Sequence, residues 1–339
     1  MMKKMNGNSI LGGVSVIKEC SSGSNATTVL CMDETGVFYR KYAFGSDGEK
    51  LYEQIRWIKE NNKLIPLPQV IRERKTECGC YYDMVYNSHS VGMFEYVHSM
   101  PIEQSWKLIT SVLEQMEQKL YSISMQKATP ESIHQYYIKK VAENIHRLNK
   151  CEMISSLLKY DVLTINGEEY KNLKSYDNLI NEFFMRRVFI KDEYSVIHGD
   201  LTIENLICTR NDSGEDGVYI IDPNTGNIHD SATLDYAKLL QSLHGEYELI
   251  KAVRDIEVKG NNIKFSYTRS QVYRELCKRY IEYLQMNMDQ DTVRSIFFHE
   301  IIHWLRLIPY QIQKNEMNAV AYYGQMLIIL KDIYELYGE

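Results

Sequence analysis

Four polar side chains stand at spacings suited to moving a phosphoryl group. His198, Asp200 and Asn205 share a short loop, and Asp222 ends the apolar run 218–221. An aspartate beside a reacting hydroxyl can take its proton, and Mg²⁺ prefers oxygen ligands such as those of an asparagine and a second aspartate. The spacing therefore predicts magnesium-dependent phosphoryl transfer, with Asp200 as the base and with Asn205 and Asp222 as metal ligands.

Short strands must hold this loop in place. Alternating apolar and polar residues predict strands at 194–198, 206–209 and 218–221, with a Gly/Asp/Ser turn at 211–217. The pattern H-x-D-x-x-x-x-N, followed by a strand-terminal Asp, is that of the protein-kinase-like catalytic loop. A hairpin whose acids are merely solvated is the alternative, and five fixed positions in two strand–loop contexts argue against it.

These residues also carry a family resemblance. The run His198-Gly-Asp-Leu-Thr-Ile-Glu-Asn205, together with Ile-Ile-Asp222, resembles the aminoglycoside phosphotransferase and choline kinase-like enzymes. Glycine follows the histidine where protein kinases usually have arginine, so the resemblance is to small-molecule kinases. It implies ATP and Mg²⁺ as cofactors and a small-molecule hydroxyl as the acceptor. His198 is expected to brace the loop.

The resemblance implies a two-lobed, protein-kinase-like α+β fold. A small N-terminal lobe with an antiparallel sheet is expected at 1–86, and a larger, mainly helical lobe at 87–339. ATP would lie between the lobes. The C-terminal lobe would contain the catalytic loop at 196–222 and, ahead of it, an acceptor-binding helical insert at about 128–191.

Composition excludes several other classes. The 339 residues carry 39 basic and 45 acidic side chains, a formal net charge of -6. Such a chain lacks the positive field of a general nucleic-acid or membrane-surface binder. No apolar run approaches the roughly 18 residues of a membrane helix. The seven scattered cysteines are typical of reduced thiols, so we expect a cytoplasmic protein.

The N-terminal strands should contact the nucleotide. A Ser/Gly turn at 21–25 between two strands can cover phosphates with backbone N–H groups, and Ser24 is the candidate contact. The next predicted strand carries Arg40 and Lys41. Adjacent residues on a strand point to opposite faces, so only one of them faces the nucleotide. Lys41 is preferred for the α/β-phosphates and Arg40 is the alternative.

A helix and a hairpin complete the predicted N-terminal lobe. The helix at 48–61 has Glu53 near its apolar face, and we expect Glu53 to pair with the phosphate-binding lysine. The last hairpin of a five-stranded sheet ends at 81–86. The resemblance places the hinge to the second lobe there, with Met84 and Tyr86 against the adenine.

The residues after Asp222 depart from the protein-kinase pattern. Asp222-Pro-Asn-Thr-Gly226 replaces D-F-G, and no A-P-E run follows, which disfavours a protein kinase. Asp235 lies in the first turn of a helix. In related enzymes an aspartate here accepts hydrogen bonds from the catalytic-loop backbone. The simpler interpretation is a carboxylate that the helix dipole favours, and both can hold.

One motif indicates different chemistry. His299-Glu-Ile-Ile-His303 matches H-E-x-x-H, which on a helix can place two imidazoles on zinc and would make the protein a hydrolase. The motif lies in an apolar helix at 293–308 with no evident third ligand. Packing or acceptor-pocket roles are therefore favoured for His299 and His303.

The sequence leaves the acceptor open. Choline or ethanolamine, an aminoglycoside, and a sugar or related cell-surface precursor all fit the resemblance. A choline-like cation needs an aromatic cage, for which Trp304 is the only plausible tryptophan. His244-Gly-Glu-Tyr247 is similar to bacterial members linked to cell-surface sugars, which favours a sugar. A nucleotide-binding pseudokinase scaffold is the alternative from another class, and the intact Asp200, Asn205 and Asp222 set argues against it.

Overall fold

The N-terminal part of the chain is an antiparallel sheet. The structure is a computed structural model that describes residues 10–20, 25–123, 126–210 and 216–337. Five strands lie in the spatial order β1-β2-β3-β5-β4. They are β1 (Ser15–Glu19), β2 (Thr27–Asp33), β3 (Gly36–Phe44), β4 (Val70–Thr76) and β5 (Gly79–Val85). The five-stranded sheet expected from the sequence is present.

One helix packs against this sheet. Helix α1 (Gly45–Asn61) begins three residues before the predicted start and contacts β3 and β5. Leu51, Ile55 and Ile58 are buried at the three- and four-residue spacing of a single helical face. Their burial fixes α1 beside the strand that carries Lys41.

The rest of the described chain is mainly helical. Its helices are α2 (Met93–Ser99), α3 (Ile102–Lys119), α4 (Pro130–Tyr137), α5 (Glu143–Lys150), α6 (Glu152–Leu157), α7 (Asp177–Ile180), α8 (Glu182–Phe189), α9 (Ala232–Leu243), α10 (Tyr247–Ile250), α11 (Gln271–Asn287), α12 (Gln290–Lys314) and α13 (Glu316–Tyr337). A π-helical turn, Ile138–Ala142, joins α4 to α5. Helices α12 and α13 are apolar on most sides and form the centre of this part.

The catalytic loop is framed by a three-stranded sheet. Strand β11 (Leu206–Arg210) lies between β12 (Asp216–Ile220) and β6 (Ser90–Gly92). The predicted strand at 194–198 is wrong. Only β10 (Glu193–Tyr194) is paired there, with β7 (Gln126–Lys127). Beyond it the Ser195 N–H donates to the backbone carbonyl of Asp230 and the His198 N–H donates to the Asp235 carboxylate, so this segment does not continue the ladder.

The segment 128–191 is not wholly helical. It contains the hairpin β8 (Val162–Ile165) and β9 (Glu168–Lys171). Asn166 and Gly167 form its turn with φ of 52° and 94°, the left-handed values that such a two-residue turn requires.

A second unpredicted hairpin extends the first into a four-stranded sheet. It consists of β13 (Arg254–Lys259) and β14 (Asn262–Ser266), and β14 pairs in parallel with β8. This sheet lies against α13. The mainly helical part of the chain therefore contains two hairpins that the sequence did not predict. Among the described residues, no helix combines the length and apolarity needed to cross a membrane.

Candidate active site

Asp200 and Asn205 face each other across the catalytic loop. The Asn205 amide nitrogen donates to the Asp200 backbone carbonyl (2.7 Å) and to its carboxylate (3.2 Å). Because the nitrogen of the amide is the donor here, its oxygen is the atom available to a metal. Lys238 of α9 lies 3.1 Å from the other Asp200 carboxylate oxygen. Burial would raise the pKa of Asp200, but Lys238 holds it below its usual range, so the carboxylate stays ionised.

Asp235 organises the backbone of the loop. Its carboxylate accepts hydrogen bonds from the backbone N–H groups of His198 (2.7 Å) and Gly199 (2.6 Å) and from the Tyr121 hydroxyl (3.0 Å). Asp235 is fully buried at the start of α9. It therefore takes the N–H groups that would otherwise extend the strand before the loop. This is the role that the resemblance implied.

His198 links the loop to the backbone just before Asp222. Its Nε2–H donates to the Ile221 carbonyl (2.9 Å), and its Nδ1 faces the backbone N–H of Asp200 (3.3 Å). Burial lowers the pKa of His198 to about 4, so the ring is neutral near pH 7. A neutral ring can donate from one nitrogen and accept at the other, and both hydrogen bonds need that form.

Gly199 is required by the shape of the loop. Its φ is +80°, and a Cβ there would lie 2.1 Å from Asn227 Nδ2 and 2.3 Å from the Asn224 carbonyl. Any side chain would displace the segment that follows Asp222. The glycine after His198, which distinguishes the sequence from protein kinases, is therefore needed for the loop to meet that segment.

Asp222 meets the N-terminal lobe. Lys41 Nζ lies 2.6 Å from its carboxylate, although the two residues are 181 positions apart. The backbone N–H of Ile221 donates to the Asn205 carbonyl (2.9 Å), which brings the two proposed metal ligands into adjacent backbone. Asp222 has φ of 60°, in the left-handed region that most residues avoid. The fold thus holds a strained residue where the two lobes meet.

Arg40 and Lys41 have separate surroundings. Arg40 is buried and forms a two-point ion pair with Asp83, at 2.7 and 2.9 Å. It also donates to the Ile10 carbonyl. Lys41 points instead to Asp222, so the sheet pleat assigns Arg40 to the lobe interior and Lys41 to the cleft. Lys41 is therefore the neighbour that faces the cleft, and its contact with the phosphates stays a prediction.

The expected Lys41–Glu53 pair is not formed. Glu53 is about half exposed and pairs with Arg56 one turn along α1, at 3.2 Å. Gln54 is the helix residue that reaches the cleft, with its Oε1 3.2 Å from Lys41 Nζ and its Nε2 donating to the Pro223 carbonyl (2.7 Å). The sequence-based prediction required a carboxylate as the partner of Lys41 and therefore did not consider the neighbouring amide. Gln54 lies as close to the apolar face of α1 as Glu53 does, so this signal could have identified it.

The other residues that were predicted to contact the nucleotide lie in different environments. Met84 is buried within β5 and pairs on both sides, with Tyr39 and Val70. Tyr86 lies just beyond β5, is 36% exposed, and contacts the Tyr39 ring edge-on. Ser24 lies outside the described residues.

The H-E-x-x-H residues do not converge on one point. His303 Nε2 faces the Leu234 carbonyl (3.3 Å), and Glu300 pairs with His244 (2.9 Å). Trp304, the cage candidate, is fully buried, and a Cβ at Gly245 would lie 2.2 Å from its ring. The helix therefore uses these residues for packing, and Trp304 belongs to the core instead of a pocket.

His299 belongs to a buried polar cluster. Its Nε2 and that of His229 each contact the same carboxylate oxygen of Asp192, at 2.9 and 2.7 Å. The outer ring nitrogens meet the hydroxyls of Tyr136 and Tyr194, each at 3.0 Å. Every ring nitrogen thus has a partner within the protein. This closed network joins α12 to the segments before β10 and α9.

Comparison with known proteins agrees with this architecture. No protein-family model and no curated protein matches the sequence. Among solved structures, a mutant of aminoglycoside 2'-phosphotransferase-IIIa in its GDP complex shares 11% identity and a TM-score of 0.60, over 100% of this chain and 99% of the other. A ternary complex of aminoglycoside phosphotransferase APH(4)-Ia with AMP-PNP and hygromycin B shares 10% identity and a TM-score of 0.58, over the full length of both chains. A protein assigned as a fructosamine-3-kinase, from Haemophilus somnus 129PT, shares 12% identity and a TM-score of 0.53, over 94% and 92%.

These similarities define the fold. The chain has the two-lobed, protein-kinase-like architecture found in small-molecule kinases, and the predicted α+β class is confirmed. At such low identity the likeness concerns the fold alone, so the activity has to be argued from the residues of the cleft.

Proposed function

We propose that this protein is a phosphotransferase that moves the γ-phosphoryl group of ATP to a hydroxyl group of a small molecule. The observation that supports it best is the convergence of Asp200, Asn205, Asp222 and Lys41 at the junction of the two lobes. Lys41 comes from the N-terminal sheet, whereas the other three residues come from the catalytic loop and the strand end that follows it. In phosphoryl transfer, positioning and charge stabilisation supply nearly all of the catalysis.

Each residue has a defined task in this proposal. Asp200 orients the acceptor hydroxyl and takes its proton, while Lys41 binds the α/β-phosphates. The oxygens of Asn205 and Asp222 would hold Mg²⁺, which neutralises phosphate charge when bound. The donor set fits that ion, because Mg²⁺ prefers oxygen ligands and the Asn205 nitrogen is already used. His198 and Asp235 act as positioning residues.

The acceptor is proposed to be a sugar or a related cell-surface precursor. The buried position of Trp304 removes the tryptophan that was the candidate for the aromatic cage of a choline-like cation. Since ATP is the donor and the cysteines are proposed to be reduced, the site of action is proposed to be the cytoplasm. A pseudokinase scaffold is the alternative from another class.

The base assignment has a direct test. We expect Asp200→Asn to lower kcat by at least about 100-fold, because the amide cannot take a proton, while AMP-PNP binding changes little. The measurement is ATP consumption with Mg²⁺ across sugars, amino alcohols and aminoglycosides. An Asp230→Asn variant, at an exposed position outside the cleft, serves as the control. Turnover that survives in Asp200→Asn would refute the assignment.

A further inference from the structure

Three basic side chains of the helical part lie near one another, and Lys238 among them contacts Asp200. Lys238 of α9 forms the 3.1 Å ion pair with the Asp200 carboxylate. Lys140 lies on the π-helical turn and Arg306 on α12. Helix α12 packs against both α9 and the π-helical turn, so the three cations come from elements that meet at α12. All three residues are only partly buried.

The electrostatic effects of these residues show that they share one region. Burial, together with the charges of Arg306 and Lys238, lowers the pKa of Lys140 to about 8. Arg306 and Lys238 both act to lower the pKa of Asp200 as well. The two cations also act on the buried ring of His303, one helical turn before Arg306 on α12. Repulsion among three neighbouring cations is unfavourable unless an anion joins them.

Among the described residues, carboxylates balance only one of the three cations. Asp200 balances Lys238, but in the described part of the chain neither Lys140 nor Arg306 is paired with a carboxylate. Glu143 is three residues from Lys140, yet it forms its ion pair with Lys139 at 2.6 Å. Two positive charges beside the proposed base therefore remain without a partner.

Two further carboxylates, those of Glu204 and Glu248, already have partners within the protein. Glu204 pairs with Lys251, and Glu248 accepts a hydrogen bond from the Ser242 hydroxyl at 2.8 Å. The Ser242 hydroxyl does not neutralise Glu248, but burial raises the pKa of Glu248 to about 7, which reduces its negative charge near neutral pH. A polycationic acceptor such as an aminoglycoside would meet repulsion at Lys140 and Arg306.

From this arrangement we propose that the acceptor carries an oxyanion group, a phosphate or a carboxylate, which Arg306 and Lys140 bind while its hydroxyl lies at Asp200. The inference rests on the proposed phosphotransferase function and specifies its substrate class. In the proposed function Lys41 binds the nucleotide phosphates, which leaves these cations for the acceptor. Arg306 suits the role because its planar guanidinium can bind two oxygens at once.

Anion binding can be measured without knowing the acceptor. The protein is saturated with Mg²⁺ and AMP-PNP, and its thermal unfolding is followed as inorganic phosphate replaces chloride at constant ionic strength. We expect a saturable increase in Tm for the wild type. Arg306→Gln and Lys140→Gln should each weaken the fitted phosphate affinity by about tenfold, the size of one lost charged hydrogen bond. Lys139→Gln, one residue from Lys140 and already paired with Glu143, is the matched control and should match the wild type.

The outcomes separate the two proposals. If AMP-PNP with Mg²⁺ does not bind, the proposed function fails and this inference fails with it. If the nucleotide binds but phosphate gives no saturable shift, or the Arg306 and Lys140 variants keep it, only the anion site is refuted. In kinetic assays with matched pairs of sugar phosphate or sugar acid and parent sugar, a neutral or cationic best acceptor would also overturn the inference.

Discussion

At the scale of single residues, the cleft depends on which of two neighbours on α1 faces it. Gln54 contacts both Lys41 of the N-terminal lobe and the Pro223 carbonyl beside Asp222. Glu53 points outward to Arg56. The protein thus uses an amide where protein kinases use a glutamate. An amide can donate to the carbonyl and accept from the lysine, which a carboxylate cannot do.

This difference makes a prediction for Gln54→Glu. The variant keeps an acceptor for Lys41 but faces the Pro223 carbonyl with a carboxylate oxygen, so it loses one hydrogen bond and adds repulsion. We expect kcat/KM for ATP to fall by about tenfold or more. Glu53→Gln, the adjacent exposed position, should stay within about twofold. A larger loss in Glu53→Gln than in Gln54→Glu would mean that Glu53 is the working partner of Lys41.

At the scale of elements, the first turn of α9 supports the catalytic loop. Asp235 accepts two backbone N–H groups of the loop and one hydroxyl from Tyr121. Burial raises the pKa of Asp235 to about 7 against the effect of these hydrogen bonds. Burying this carboxylate is therefore unfavourable by itself, and its hydrogen bonds offset that cost.

Graded variants should separate these hydrogen bonds. Tyr121→Phe removes one donor and is expected to lower the free energy of unfolding by about 1 kcal/mol. Asp235→Ala leaves the N–H groups of His198 and Gly199 buried without acceptors and should cost at least about 2 kcal/mol, together with most of the activity. Asp230→Ala, an exposed position nearby, should change stability by less than about 0.5 kcal/mol. Urea unfolding measures all three, and equal losses in Asp235→Ala and Asp230→Ala would contradict the assigned role.

At the scale of the whole molecule, ion pairs join helices that are far apart in the sequence. His244 at the end of α9 lies 2.9 Å from Glu300 of α12 and 3.5 Å from Asp332 of α13. Burial alone would lower the pKa of His244, but the two carboxylates raise it to about 10. The ring is therefore charged in the folded protein near neutral pH.

This pair predicts a pH-dependent stability. A histidine whose pKa is raised on folding stabilises the protein fully below its unfolded pKa of roughly 6.5, and the contribution is lost as pH rises through the folded value. The difference in unfolding free energy between wild type and His244→Asn should therefore be largest near pH 6 and should shrink steadily toward pH 10. His146→Asn, at an exposed helical position, is the control. A difference that stays constant over this range would rule out the charged pair.

The catalytic loop and the N-terminal sheet followed from the sequence because their signals are local. Fixed spacing points to His198, Asp200 and Asn205, and alternation of apolar residues identifies the two strands that follow them, although not the predicted strand at 194–198. The Asn166-Gly167 turn is an equally local signal, but the hairpin around it was not predicted. Strand β8 of this hairpin also pairs with β14, almost 100 residues later, and no local pattern indicates that pairing.

Only the tertiary structure decided which side chains meet. Arg40 and Lys41 are equivalent by sequence, and the pleat of β3 together with Asp83 separates them. Gln54 instead of Glu53 reaches the cleft because the rotation of α1 about its axis is fixed by packing. The three cations near Asp200 come from elements far apart in the chain, so their shared charge exists only after folding. Contacts of this kind depend on the relative placement of whole elements, which residue types and spacings do not encode.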